Sequence, residues 1–134
     1  MVKKLNFVTF EDFGGKFTSY KISLGKHGGF GFNSGFYKKE DIRKYSHVLL
    51  SYDKNNNAVG FRFTNDKNLR GVYKIIHTAN VNSASVVVHS FFGAHGINYK
   101  EYADKYDPKE YSDPQMGKLY YIILKKHKKK VEKD

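Results

Sequence analysis

Hydrophobic and polar positions alternate along much of this chain with a period of two, the period of a strand with one buried face. KFTSYKISL, residues 16–24, sets Thr18, Tyr20, Ile22 and Leu24 against Phe17, Ser19 and Lys21. In residues 29–33 Phe30 and Phe32 share one face, and Gly29, Gly31 and Asn33 the other. Both stretches predict strands, and KLNFVTF at 4–10 predicts another ahead of them, across an EDFGG turn. HVLLSYDKNNNAVGFRFT, residues 47–64, predicts a hairpin: two β-rich runs flank DKNNN, whose residue types tolerate left-handed backbone and bond to their own turn. On its return arm Val59, Phe61 and Phe63 share a face, opposite Arg62. GVYKIIHT (71–78), SASVVVHSF (83–91) and KLYYIILKK (118–126) predict the remaining strands.

The alternation breaks in four places. SGFYKKEDIRKY, residues 34–45, spaces Phe36, Ile42 and Tyr45 for one or two helical turns, with Ser34 as N-cap and Glu40 placed to pair with Lys44. FFGAHGINYKEYADKY, residues 91–106, reads as a short helix and then a polar, Tyr-rich loop. DPKEYSDPQMGK, residues 107–118, holds both prolines and reads as an exposed loop. HKKKVEKD, residues 127–134, reads as a frayed tail.

The glycine-rich stretch GKHGGFGFNSGF at 25–36 does not make a phosphate loop. No glycine in it is followed by Lys-Ser or Lys-Thr, and Ser34 stands where the dinucleotide fingerprint needs a third glycine. GKHGG is instead a tight turn between strands. Gly31, inside a strand, marks a bulge, a close backbone approach or a surface kept bare.

These elements predict an α+β fold, mostly β: a curved antiparallel sheet or small barrel with one or two short helices. Residues 1–124 form a single domain and 125–134 a basic tail. A weak echo relates 20–64 to 72–124, each running strand, short helix, strand. Aromatic residues at 16% supply a core. The absence of cysteine excludes disulfides and thiolate metal sites. No stretch approaches the roughly 18 apolar residues of a membrane span, and the first residues carry no signal-like apolar run, so a cytoplasmic location is expected.

The segment ISLGKHGGFGFNSGFYKKEDIRKYSHVLLSYDKNNNAVGFRFTND resembles a group of small uncharacterised bacterial and phage proteins. They share a GFN-SG strand, a short helix and a YD…GF-FT-D hairpin, and SVVVHSFFGAHGI resembles their second block. More loosely, the same stretch is similar to the AbrB/MazE swapped-hairpin DNA-binding domain, although GGFGFN lacks the arginine and proline of that family's G-R-[IV]-x-[IL]-P core. TFEDFGGKFTSYKISL is similar in outline to the opening hairpins of Whirly-type single-stranded DNA-binding cofactors. The AbrB likeness implies a homodimer that presents Lys26, Lys38, Lys39, Arg43 and Lys44 to DNA.

Candidate catalytic chemistry is sparse. Histidines 27, 47, 77, 89, 95 and 127 include no H-x-x-x-H pair and no carboxylate at ligand spacing. No G-x-S-x-G elbow supports a nucleophile, and the acids of residues 104–113 lie among lysines. The expectation is a protein that is not an enzyme and needs no cofactor or metal.

Charge points further. The formal net charge is +11, which favours a polyanionic partner. Two clusters stand out: Lys38, Lys39, Arg43 and Lys44, and Lys125, Lys126, Lys128, Lys129 and Lys130. Phe30, Phe32, Phe36 and Tyr37 lie near the first, Tyr120 and Tyr121 near the second, as candidate faces for unpaired bases. Arginine is scarce (Arg43, Arg62, Arg70), so phosphate contact should dominate over base reading. The expected function is non-catalytic binding of DNA or RNA by a regulator or accessory factor, in a phage or mobile-element setting. The competing expectation is a protein-interaction or self-assembling module using the Tyr-rich residues 99–111.

Overall fold

A computed structural model of the protein describes residues 20–115 and 117–126. The strand predicted at 4–10, the EDFGG turn and the beginning of the second strand lie outside the described residues. The fold is two five-stranded antiparallel sheets with their inner faces packed together, and the sheets do not close into a barrel. Among the described residues three short helices accompany the sheets.

The first sheet has the order β6-β7-β2-β1-β8 and the second β5-β3-β4-β10-β9. In the first, β1 (Ile22–Leu24) and β2 (Gly29–Phe32) make a hairpin, with Ile22 opposite Phe32. The GKHGG turn closes as its sequence predicts: the Gly25 N–H donates to the Gly29 carbonyl, and Gly28 supplies a φ of +84°. Gly31 is neither a bulge nor a close approach. It pairs in regular register with Ser23 and Ser85, and a Cβ there would lie an ordinary 3.9 Å from Ser23. The close approach is at Gly29, where a Cβ would come within 2.9 Å of the Val86 carbonyl.

Asn33 is extended and precedes helix α1 (Ser34–Lys39), so Asn33 and not Ser34 occupies the N-cap position. Asp41, at φ 53°, then breaks the helix before the 3₁₀ turn Ile42–Lys44. That break removes the helical spacing between Glu40 and Lys44, and the predicted pair does not form; Lys44 lies 4.0 Å from Asp41 instead.

In the second sheet β3 (His47–Asp53) and β4 (Ala58–Thr64) form the predicted hairpin, with Leu50 opposite Phe61. The run 71–78 is not one strand. β5 (Val72–Lys74) pairs with β3, and β6 (Ile76–His77) pairs with β7 (Ala84–Val87) in the other sheet. The chain changes sheets at buried Ile75, whose N–H donates to the Ser46 carbonyl. Helices α2 (His89–Ala94) and α3 (Tyr99–Tyr102) follow, then β8 (Asp104–Tyr106), β9 (Lys109–Asp113) and β10 (Gly117–Ile123). The predicted loops at 99–106 and 107–118 are thus largely ordered elements. Pro108 and Pro114 stand immediately outside β9, which occupies a sheet edge and has no neighbour on its outer side among the described residues.

The echo between the halves has a topological counterpart. Hairpin β1–β2, helix α1 and hairpin β3–β4 match hairpin β6–β7, helix α2 and hairpin β9–β10 in order. In each sheet the two hairpins lie side by side, with β2 against β7 and β4 against β10. Each of the two helices buries its third and fourth residues, Phe36 and Tyr37 in α1, Phe91 and Phe92 in α2. One hydrophobic cluster joins both sheets, with Phe30 4.9 Å from Phe61 and Phe32 5.2 Å from Phe63, ring centre to ring centre.

Candidate functional site

Period-two alternation decides which aromatic rings reach solvent. Phe30, Phe32, Phe36, Tyr37 and Tyr120 are buried core residues and offer no face to a ligand. Of the sequence's candidate platforms only Tyr121 points outward. It lies on the outer face of the second sheet, between buried Tyr120 and Ile122. That face carries a depression of about 590 Å³. Ser51, Ala58, Gly60 and buried Leu119 line it together with Tyr111, Tyr121 and Ile123, and the carboxylates Asp53 and Asp113 line it too, whereas Arg62 and Lys109 lie outside its lining. There is no room for a side chain at Gly60: a Cβ there would come within 2.6 Å of the Ser51 hydroxyl, which packs over it. The Tyr111 and Tyr121 rings meet edge to face, centres 6.4 Å apart, and Tyr111 is 49% exposed.

Register arranges this face in rows across the strands. One row runs Ser51, Gly60, Tyr121, Lys109. Beside it Leu49 faces Arg62 and Leu119 faces Tyr111, and continuation of the β4–β10 register sets Arg62 next to Leu119. Two carboxylates lie beyond these rows, toward the strand ends. Asp53 is bonded to the amide of Asn56 at 2.7 Å, which holds its carboxyl below the usual range, and Asp113 accepts from the Gln115 N–H. Neither Arg62 nor Lys109 has a carboxylate within salt-bridge reach among the described residues.

The predicted cation clusters do not share one site. Arg43 and Lys44 lie beside Asp41 just before β3 begins, at 3.8 and 4.0 Å. Lys125 follows Leu124, whose N–H donates to Asn57 beyond the far end of β3. The strand between is about 20 Å long. Lys38, Arg43, Tyr37 and Asn82 line a smaller cleft of about 230 Å³ together with Asp41. Lys39 lies over the Tyr20 ring, and Lys26 is exposed in the GKHGG turn. Lys126 pairs with Glu101 at 3.5 Å, and the Lys125 carbonyl accepts from the Tyr106 hydroxyl. Lys128, Lys129 and Lys130 lie outside the described residues. The Tyr-rich patch is also dispersed: Tyr106 is core, Tyr99 stacks on His89, and only Tyr111 is exposed.

Elsewhere the electrostatics are structural. Glu40 accepts from the Tyr20 hydroxyl at 2.7 Å and the Tyr120 hydroxyl at 2.5 Å. Burial pushes the Glu40 carboxyl up, but the two hydroxyl bonds, Lys118 and Lys39 outweigh it and hold it below the usual range. Burial and the same bonds raise both phenols far above theirs. His77 bridges the Tyr37 hydroxyl and the Tyr45 carbonyl, each at 2.8 Å. Among the described residues no three metal-capable side chains gather, and no helix is long and apolar enough to cross a membrane.

The sequence placed Tyr111 and Lys109 in the Tyr-rich contact patch of the competing expectation, as loop, and missed both their strand beside Tyr121 and the part played by Gly60. The signal was present in KEYSD, where Lys109, Tyr111 and Asp113 alternate, but the flanking prolines marked the segment as loop. Comparison of the chain with family models, with curated proteins and with solved structures finds no match.

Proposed function

We propose that this protein binds nucleic acid without catalysis, as a cytoplasmic regulator or accessory factor, and holds its ligand chiefly through backbone phosphates. The observation that carries the reading is the pairing of chemistries on one face: Arg62 and Lys109, neither in a salt bridge with a described carboxylate, beside the outward Tyr111 and Tyr121. The net charge of +11 supplies the long-range attraction. Affinity for a fluorescein-labelled oligonucleotide, followed by anisotropy, should fall linearly on a log–log plot against salt. The slope is about −0.7 per phosphate neutralised on a single strand and −0.9 on duplex. A salt-independent signal, or none at low ionic strength, would retire the proposal.

A second reading, self-association, draws on the outer face of the first sheet. Ser23, Gly29, Gly31 and Ser85 leave that face almost bare, and Ile76 and Val87 beside them are 52% and 56% exposed. Sedimentation in high salt tests it: Val87→Lys should abolish a dimer held by this face, and a protein monomeric at every concentration excludes it.

A further inference from the structure

We infer that the depression on the outer face of the second sheet seats an unpaired base, and that the strand bearing it crosses the sheet perpendicular to the β-strands. This rests on the nucleic-acid reading above and adds the form of nucleic acid, the seat and the direction. The direction follows from where the charges lie. A phosphodiester laid along the rows passes Arg62 and Lys109. One laid along the strands runs toward Asp53 at one end and Asp113 at the other. Like charge opposes the second path and opposite charge favours the first.

The seat follows from shape. Gly60 and Ala58 leave a floor without long side chains, and Tyr111 and Tyr121 stand at one side of it. Their edge-to-face packing holds the rings in place, so a base stacks on a preformed surface rather than ordering a loose one. The Ser51 hydroxyl in the floor makes no hydrogen bond with any described residue and is available to a base edge. A base inside a duplex cannot reach this floor without leaving its stack, at a cost of a few kcal/mol. An unpaired strand has no such barrier. Five strands span about 19 Å, which suits a short site of ~4 nucleotides.

The chain contains no tryptophan, so Tyr121→Trp installs a single reporter. Titration with oligothymidylate should quench its emission, and a duplex of equal length should quench it far less. By anisotropy, Tyr111→Ala should weaken oligothymidylate binding about 5- to 100-fold and leave the salt slope unchanged. Arg62→Ala should instead make the slope shallower by about 0.7. Tyr111 is exposed, so its truncation leaves the core intact, and circular dichroism checks each variant. Salt-dependent binding that ignores Tyr111→Ala, or that prefers duplex, overturns this inference and leaves the nucleic-acid reading standing. Absence of binding to either form at low salt overturns both.

Discussion

Glu40 shows how one side chain can be misread from spacing and still be decisive in three dimensions. Four residues ahead of Lys44, it looks like half of a helical ion pair. The left-handed Asp41 ends the helix between them, and the carboxylate turns to two tyrosine hydroxyls from different elements, Tyr20 ahead of β1 and Tyr120 on β10. Because the folded carboxyl is held below its unfolded value of about 4.3, it stabilises the protein above that pH. The stabilisation is lost as pH falls through the folded value. Glu40→Gln should therefore cost about 1.5–3 kcal/mol near neutral pH, the range for a hydrogen bond to a charged group. Urea denaturation from neutral to acid pH checks the sign: the gap between wild type and variant should close on acidification. The phenols work in the opposite direction. Their raised folded values keep their contribution full below about pH 10 and remove it above. Tyr20→Phe should thus narrow the alkaline loss of stability.

Strands and turns tell a similar story one scale up, and two glycines of one hairpin separate backbone need from mere smallness. Gly28 has a φ of +84°, and a Cβ there would fall 2.2 Å from the His89 ring, which reaches the His27 carbonyl across the turn. Gly28→Ala should cost about 1–2 kcal/mol from the left-handed backbone alone, before His89 moves. Gly31 sits in regular pairing, and a Cβ there would make only ordinary contact with Ser23, so Gly31→Ala should be stabilising by about 0.5–1 kcal/mol. Thermal melts of the two variants should move in opposite directions. The same contrast shows what was legible in the sequence. The β3–β4 hairpin was readable because one face is buried and the turn has its own chemistry. The switch of sheets at Ile75 was not, since VYKIIH is an unbroken β-rich run and only tertiary pairing divides it. Strand β9 was hidden because an edge strand with no buried face has no apolar alternation to display. With β9 went the placement of Tyr111 and Lys109 beside Tyr121, although both fall in the Tyr-rich stretch 99–111. Arg62 was legible, because alternation with Phe61 and Phe63 already set it on the opposite face.

At the scale of the whole molecule, the symmetry of the two hairpin–helix–hairpin halves does not make them separate domains. β2 and β4 of the first half each pair on one side with a strand of their own half, β1 or β3, and on the other side with β7 or β10 of the second half. The edge strands cross over as well: β5 of the second half pairs with β3 of the first, and β8 with β1. The aromatic centre is shared, since Phe30 of the first half lies 5.5 Å from Phe92 of the second, and Phe36 lies 5.1 Å from Tyr120. A half chain alone would leave two inner strand edges unpaired and apolar faces in water, so neither half can offset the entropy of folding. Cleavage in the exposed loop between β4 and β5, at residues 65–68, removes no pairing of either sheet. Fragments separated after that cut should each lack native circular dichroism, and an equimolar mixture should recover it with the quenching response of the Tyr121→Trp reporter. A half that folds by itself would show instead that each hairpin–helix–hairpin unit carries its own core. The outer face of the second sheet would then be a junction between independent units, and the row from Ser51 to Lys109 would lose the rigid backing that the proposed base seat requires.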